Sequence, residues 1–208
     1  MKSSIKKDTF KAIYRLLDKV SPIDGDCGRL CGSLCCTYEP ETASCQTGHE
    51  GCSENAEACC EPSEGSSLGI YLLPGEEKLV TGHEDWLEWD WEYAEDYEFP
   101  DSWHGKVYFL KCLNAPSCHR QMRPLQCRVF PLTPHLDQYG QLYMIYQSGQ
   151  LPYKCPLIHE KIKLNEDFLK ANYTVWKHLL RDPLIFDLVE MDSAFREDDG
   201  ENIVYLYP

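Results

Sequence analysis

Four cysteines stand close together near the start of the chain, in the run Cys-Gly-Arg-Leu-Cys-Gly-Ser-Leu-Cys-Cys at 27–36. A thiolate is a soft and negatively charged ligand, so several thiolates converging on one point favour the binding of a metal ion. Close spacing brings them together at little cost in loop-closure entropy. The glycines at 28 and 32 allow the backbone to bend and leave amide groups free to bond to sulfur. We therefore predict a metal site whose first ligands are Cys27, Cys31, Cys35 and Cys36.

A second group of four cysteines lies in the later half of the chain, and we predict that these are metal ligands as well: Cys112, Cys118, Cys127 and Cys155. Eight thiolates are enough for two four-cysteine sites. Because side chains of neighbouring residues usually diverge, Cys35 and Cys36 are expected to serve different sites or opposite sides of one cluster. The predicted centre, or two neighbouring centres, thus joins both halves of the chain.

The predicted ligands suit zinc or an iron–sulfur cluster, since both accept four thiolates in a tetrahedral arrangement. The spacing differs from the paired C-x2-C of a zinc ribbon and from the bacterial ferredoxin run. It also differs from the radical-SAM C-x3-C-x2-C motif, because the third position would be Leu34. Buried core thiols would explain only a few of these cysteines, and a disulfide scaffold would require an oxidising compartment.

Residues 37–67 are rich in Glu, Ser, Thr and Gly and poor in apolar residues, which indicates a long loop or an insertion. This segment carries four further cysteines and one histidine. Two interpretations stay open for them, an extra zinc site and a redox-sensitive loop. The residues concerned are Cys45, His49, Cys52, Cys59 and Cys60.

The charge of the chain is strongly negative, with 20 Lys and Arg residues against 34 Asp and Glu residues. Such a balance argues against nucleic-acid binding, which needs a surface that neutralises phosphates.

No stretch is apolar enough to span a bilayer, and charges interrupt the first 20 residues where a signal peptide would be apolar. We expect a cytoplasmic protein with no membrane partner. The acidic, aromatic stretch at 83–101 suits edge packing or the acceptance of a basic protein or peptide.

The elements that must position these residues are short. Apolar spacing predicts a helix within residues 1–20 and another over 167–180, with Asn165 as its N-cap and Asp182-Pro183 as its stop. Strands are predicted at 68–73, 106–110, 142–146 and 203–207, a short helix within 77–89, and a helical turn at 184–189. The alternation of Trp89, Trp91 and Tyr93 fits either a strand or a helix. We predict a single α+β domain over 1–208, small, irregular and held by metal, with flanking helices and a helical C-terminal part at 156–190.

The segment Arg-Pro-Leu-Gln-Cys-Arg-Val-Phe-Pro-Leu at 123–132 is predicted to form a rigid turn that leads into a strand, because its prolines restrict the backbone. Arg123 and Arg128 flank the predicted ligand Cys127. They could offset the negative charge of a thiolate site and donate hydrogen bonds to sulfur. Surface salt bridges to the acidic segments are the alternative.

Together these motifs resemble the YkgJ-type cysteine-cluster family, which is described as zinc- or iron-chelating and carries a CxxCxxCC signature. Cys27, Cys31, Cys35 and Cys36 would carry that signature, with spacing one residue longer at each step. Cys112, Cys118, the RPLQCRVFPL segment and Cys155 would complete the pattern, and the insertion at 37–67 is extra. The resemblance implies metal binding and supplies no reaction.

The sequence therefore predicts a metal-binding protein that uses clustered cysteines to hold zinc or an iron–sulfur cluster. Some members of the similar family are related to flagellin lysine-N-methylase, so a protein-modifying enzyme is one alternative. No G-x-G-x-x-G motif for AdoMet follows a strand here. A thiol redox sensor that uses Cys59 and Cys60 is the other alternative.

Overall fold

The computed structural model describes residues 1–37, 69–82, 84–115, 117, 122–147 and 151–208. The helices in this part of the chain are α1 (Lys7–Leu17), α2 (Gly28–Cys31), α3 (Leu34–Thr37), α4 (Leu125–Val129), α5 (Pro156–His159), α6 (Glu166–Leu179) and α7 (Pro183–Asp198). The strands are β1 (Ile70–Tyr71), β2 (Leu87–Tyr93), β3 (Lys106–Cys112), β4 (Leu132–Leu136), β5 (Leu142–Tyr146) and β6 (Tyr205–Tyr207). Short 3-10 helices occupy Glu76–Leu79 and Ala94–Asp96.

The described strands form two antiparallel three-stranded sheets, with strand orders β1-β3-β2 and β4-β5-β6. In the first sheet, β2 pairs with β3 along its whole length, from Leu87 opposite Cys112 to Tyr93 opposite Lys106. Helices and antiparallel sheets in one small fold confirm the predicted α+β class. None of the helices in the described ranges is long and apolar enough to cross a membrane.

The core lies between the second sheet and helices α1, α6 and α7. Helix α1 was predicted from its apolar spacing, and Phe10, Ile13 and Leu17 are buried on one of its faces. This face packs against α6 and α4. Met144 of β5 and Leu179 of α6 are completely buried in the same cluster. Helix α1 therefore forms one wall of the core.

Helix α6 occupies Glu166–Leu179, within one residue of its predicted bounds. Asn165 stands at the N-cap position as predicted, but its side chain does not cap the helix. Instead it donates to Ser21 O at 3.3 Å and to Asp24 Oδ1 at 3.0 Å. The Asn165 backbone N–H also donates to Pro22 O at 2.8 Å. The start of α6 thus holds the loop that leads into the first cysteine run.

The predictions for residues 68–93 were correct only in part. The expected strand at 68–73 pairs as β1 over two residues, although Leu72 N donates to Tyr108 O at 2.8 Å beyond it. The helix expected within 77–89 is a 3-10 helix that ends at Leu79, and β2 begins at Leu87. The alternating aromatic residues lie on β2, which settles the open choice in favour of a strand.

Helix α7 is much longer than the predicted turn at 184–189, and Asp182 begins it. Asp182 Oδ1 accepts hydrogen bonds from Leu184 N at 3.1 Å and Ile185 N at 3.4 Å. Its Oδ2 accepts from Ser3 Oγ, Ser4 N and Ser4 Oγ at 2.6 to 2.9 Å. The buried carboxylate thus caps α7 with one oxygen and holds the N-terminal segment with the other. Burial would raise the pKa of Asp182, but hydrogen bonds from Ser4, Ser3 and Ile185 lower it below its ordinary value.

Asp182→Asn is expected to lower the free energy of unfolding by about 1–2 kcal/mol at pH 7, because an amide NH2 cannot accept from the serines. The folded-state pKa of Asp182 is depressed, so its contribution is present above the ordinary value and is lost as pH falls through the folded pKa. The difference in the free energy of unfolding between the variant and the wild type should therefore be smaller at pH 3 than at pH 7. Urea denaturation at both pH values measures it, and Asp187→Asn on α7 is the matched control.

Candidate metal centre

The cysteine run at 27–36 folds into two single-turn helices, α2 and α3. Gly32 and Ser33 join them, and both have left-handed backbones, with φ of 62° and 63°. Glycine adopts this conformation without strain, which confirms the predicted role of Gly32 in bending the chain. A Cβ at Gly28 would overlap Ser33 Oγ, so a small residue is needed there as well. The sharp reversal turns both helices toward a common region.

Cys35 and Cys36 were expected to point apart, but their Sγ atoms lie only 3.8 Å from each other. Two thiolates bound to one tetrahedral zinc ion, each about 2.3 Å from the metal, also lie about 3.8 Å apart. The expected divergence is therefore wrong for this pair. The observed separation is the one that two ligands of the same ion require.

Further thiols surround this pair. The charges of Cys27 and Cys31 act on Cys35, and those of Cys155 and Cys31 act on Cys27. Cys155 comes from the far end of the chain, where it stands at the N-cap of α5. Cys155 of the later chain thus lies within electrostatic range of Cys27 in the first cysteine run.

Tyr153 lies among these thiols and connects them with Cys127. The pKa of its hydroxyl is raised by burial and then by the charges of nearby thiols. The thiols concerned are Cys35, Cys155, Cys36 and Cys127. Cys127 therefore lies, like Cys35, Cys36 and Cys155, within electrostatic range of Tyr153.

The thiols of this region differ in how readily they ionise. The pKa of Cys36 is lowered to about 6 by a hydrogen bond from Cys35 and by the positive charge of Arg123. The pKa of Cys35 is raised, because its proton is held by Cys36 and the group is partly buried. Burial also raises the pKa of Cys27 and of Cys155. One thiolate therefore forms readily, and a cation would be needed to deprotonate the others.

The segment around Cys127 forms a one-turn helix, α4, and not the rigid turn that its prolines predicted. Pro124 occupies the N-cap, where its lack of an N–H group costs nothing. Leu125 N donates to the buried carboxylate of Glu76 at 2.7 Å, which fixes the first turn. The predicted strand follows as β4. Cys127 thus stands on a helix whose start is held from another part of the chain.

The two arginines beside Cys127 have different roles. Arg123 acts electrostatically on Cys36, as predicted for a group that offsets thiolate charge. Arg128 is nearly buried and pairs with Asp18 of α1 at 2.5 Å. The Nε of Arg128 also donates to Arg123 O at 2.6 Å, and its Cζ lies 4.0 Å from the ring centroid of Tyr14. Arg128 therefore joins α4 to α1 through a buried ion pair, which neither sequence interpretation had proposed.

Glu76 is a buried group that the sequence analysis missed. One oxygen accepts from Tyr14 Oη at 2.5 Å and Leu125 N at 2.7 Å, and the other accepts from Leu73 N at 3.1 Å. Burial raises the pKa of Glu76, and these donors together with Arg128 oppose the rise. The sequence carries no signal that separates Glu76 from its neighbour Glu77, because the burial depends on α1 and α4 packing over it.

Two predicted ligands remain, Cys112 and Cys118. Cys112 ends β3, opposite Leu87 and half-buried. Cys118 and the residues of the expected extra site, Cys45, His49, Cys52, Cys59 and Cys60, lie outside the described residues. Among the cysteines that the structure describes, Cys27, Cys31, Cys35, Cys36 and Cys155 have free thiols. Within the same ranges, no three His, Cys, Asp or Glu side chains are already arranged as ligands of one metal ion. The described thiols are near one another without forming a complete coordination sphere.

No protein-family model matches the sequence, and the comparisons with curated proteins and with solved structures gave no match either. The resemblance to the YkgJ-type family therefore stays a prediction. The function has to be argued from the side chains themselves.

Proposed function

We propose that this protein binds a metal through the thiols gathered around α2, α3, α4 and α5, and that this metal is zinc or the iron of an iron–sulfur cluster. The observation that carries the proposal is the 3.8 Å separation of Cys35 Sγ and Cys36 Sγ. The ligands that surround this pair are Cys27, Cys31, Cys127 and Cys155.

The chemistry of the donors supports a metal over a disulfide. Several thiols share one region and oppose one another's ionisation, so a cation placed among them would relieve the repulsion. A thiolate at Cys36 gives an incoming ion its first ligand, and Arg123 limits the net negative charge. Reduced thiols of this kind fit a cytoplasmic location, where disulfides rarely persist.

The separation of the adjacent pair also bears on which metal is bound. Two sulfurs at 3.8 Å suit a single metal ion that both cysteines ligate. Zinc binds both cysteines of such a pair through tetrahedral thiolate coordination, and it needs no other cofactor. An iron–sulfur cluster is the second outcome that the experiment must separate, because it accepts the same ligand type.

Mass spectrometry of the whole protein under native, anaerobic conditions tests the proposal. We expect a mass excess of one or two zinc ions, or of an iron–sulfur cluster with visible absorption. The double variant Cys35→Ser/Cys36→Ser should lose at least one metal equivalent, because a serine hydroxyl does not ionise at neutral pH. Thr37→Ser, next to Cys36 at the end of α3, should keep the full metal content. A folded wild-type protein that is colourless and free of metal after growth in metal-supplemented medium would contradict the proposal.

A further inference from the structure

A cavity of about 540 Å³ opens beside the second sheet, and no cysteine lines it among the described residues. The residues that line it are Asp137, Gln138, Tyr143, Glu197 and Tyr205. They come from the β4–β5 turn, from β5, from the C-terminal end of α7 and from β6. The function proposed for the cysteines uses none of these residues.

Aromatic rings form one wall of this cavity. Tyr143 and Tyr205 have ring centroids 4.6 Å apart with an angle of 60° between the ring planes. His135 pairs with Tyr143 across the two strands, and its ring lies 5.9 Å from that of Tyr205. The three rings therefore share one face of the sheet. Tyr205 is half-exposed, which leaves part of its ring open to solvent.

The charged groups that line the cavity are both carboxylates. Asp137 is held in place because its Oδ1 accepts from Tyr139 N at 2.9 Å and from Gln141 N at 2.8 Å. Glu197 has a half-exposed side chain. The pKa of Tyr205 is raised by partial burial and then by the charges of Asp137 and Glu197. The cavity therefore has a negative electrostatic field.

His135 adjoins two residues of this cavity without lining it. Its side chain is completely buried, and neither ring nitrogen has a hydrogen-bond partner in the described part of the chain. Nε2 lies 3.7 Å from Glu197 Oε1, which is too long for a hydrogen bond. The Glu197 carboxylate is therefore not held by His135 and can accept a hydrogen bond from a ligand in the cavity.

Other charges near His135 do not cancel this field. Burial and the charge of Arg196 lower the pKa of His135, and the charges of Glu197 and Asp137 oppose this shift. Arg196 itself is engaged away from the cavity. Its guanidinium donates to Pro134 O and to Thr133 Oγ1, each at 3.3 Å, and lies 3.9 Å from Asp192. Two carboxylates thus face the cavity with no lining cation to balance them.

We propose that this cavity binds an alkylammonium group, with Tyr143 and Tyr205 as an aromatic wall and with Glu197 and Asp137 as counter-charges. Aromatic faces attract cations, and carboxylates form charge-assisted hydrogen bonds with N–H donors. A bare metal ion fits less well, because the described His, Asp and Glu side chains offer no group of three arranged as ligands. The ligand is a free amine or the lysine side chain of a peptide.

Calorimetric titration of the full-length protein with n-butylammonium chloride tests this site. We expect a dissociation constant on the order of 1 mM, measured against a sodium chloride titration of equal ionic strength. Glu197→Gln and Tyr205→Leu should each weaken binding about five- to tenfold, because each removes one attractive group. Glu190→Gln makes the same charge change two turns earlier on α7, and it should leave the affinity within twofold.

Titrations with two further compounds identify the source of the amine. Putrescine represents free amines, and N-acetyl-lysine amide represents a lysine side chain in a peptide. Tighter binding of either one supports the site and names its ligand. Absence of n-butylammonium binding, or an equal loss in Glu190→Gln and Glu197→Gln, would overturn the proposal. Tighter binding of zinc or manganese that depends on His135 would overturn it too, since the site would then be a metal site. Because Glu197 and Tyr205 are half-exposed, their variants should fold, and circular dichroism checks this.

Discussion

Removal of the metal that we propose for the thiols is expected to lower the melting temperature of this protein by about 10 °C. A metal present at about a thousand times its dissociation constant stabilises the folded state by about 4 kcal/mol. For a chain of this size, each kcal/mol shifts the melting temperature by about 2–4 °C. The thiols that would hold the metal come from segments far apart in sequence, so its loss removes a link between α2, α3, α4 and α5. The second sheet and its helices contribute many residues to the apolar core, and they should remain folded at room temperature.

Thermal melts of the reduced protein with and without a chelator, followed by circular dichroism, measure this effect. Added zinc or reconstituted cluster should restore the original melting temperature. The double variant Cys35→Ser/Cys36→Ser is the control, since it should melt early and respond little to the chelator. An apoprotein as stable as the metal-loaded protein would contradict the structural role of the metal.

Glu76→Leu is expected to lower the free energy of unfolding by about 3–4 kcal/mol, which is a large part of the stability of an ordinary domain. Leucine has a similar volume, so the effect does not come from a cavity. It comes from three donors, Tyr14 Oη, Leu73 N and Leu125 N, which would remain buried without an acceptor. Urea denaturation at pH 7 measures the change.

Two companion variants show whether the hydrogen bonds cause this loss. Tyr14→Phe removes one donor and leaves Glu76 with two, so it should cost about 1 kcal/mol. Glu77→Leu changes the adjacent residue, whose carboxylate accepts only the local Gly75 N–H among the bonds described here, and should cost less than Glu76→Leu. Equal losses for Glu76→Leu and Glu77→Leu would argue against a network centred on Glu76.

The parts of the fold that the sequence predicted well carry strong local patterns. Helices α1 and α6 have apolar residues at helical spacing, and β3 and β5 are short apolar runs beside turn residues. Helix α7 is longer than predicted, because the dipeptide Asp182-Pro183 in a sequence indicates the end of a helix. The same dipeptide caps and begins the next helix, with proline at its first position.

The parts that were missed depend on contacts between distant residues. Helix α4 forms where the prolines predicted a turn, because Glu76 accepts from its first N–H and Arg128 anchors it to α1. Clustering indicates which cysteines are candidate ligands, but the 3.8 Å separation of Cys35 Sγ and Cys36 Sγ depends on side-chain orientations that residue spacing does not encode. No local sequence pattern predicts the cavity near His135, because its lining residues come from four separate elements.

The thiol region also sets an order of events during protein synthesis. About 120 residues separate Cys36 from Cys155. At about 5–20 residues per second, the ribosome needs roughly 6–24 s to add them. During that interval the early cysteines have left the exit tunnel while a later member of their cluster does not yet exist. A metal held by the proposed ligands could therefore be fully coordinated only after Cys155 has been made, and until then the early thiols would be open to oxidation.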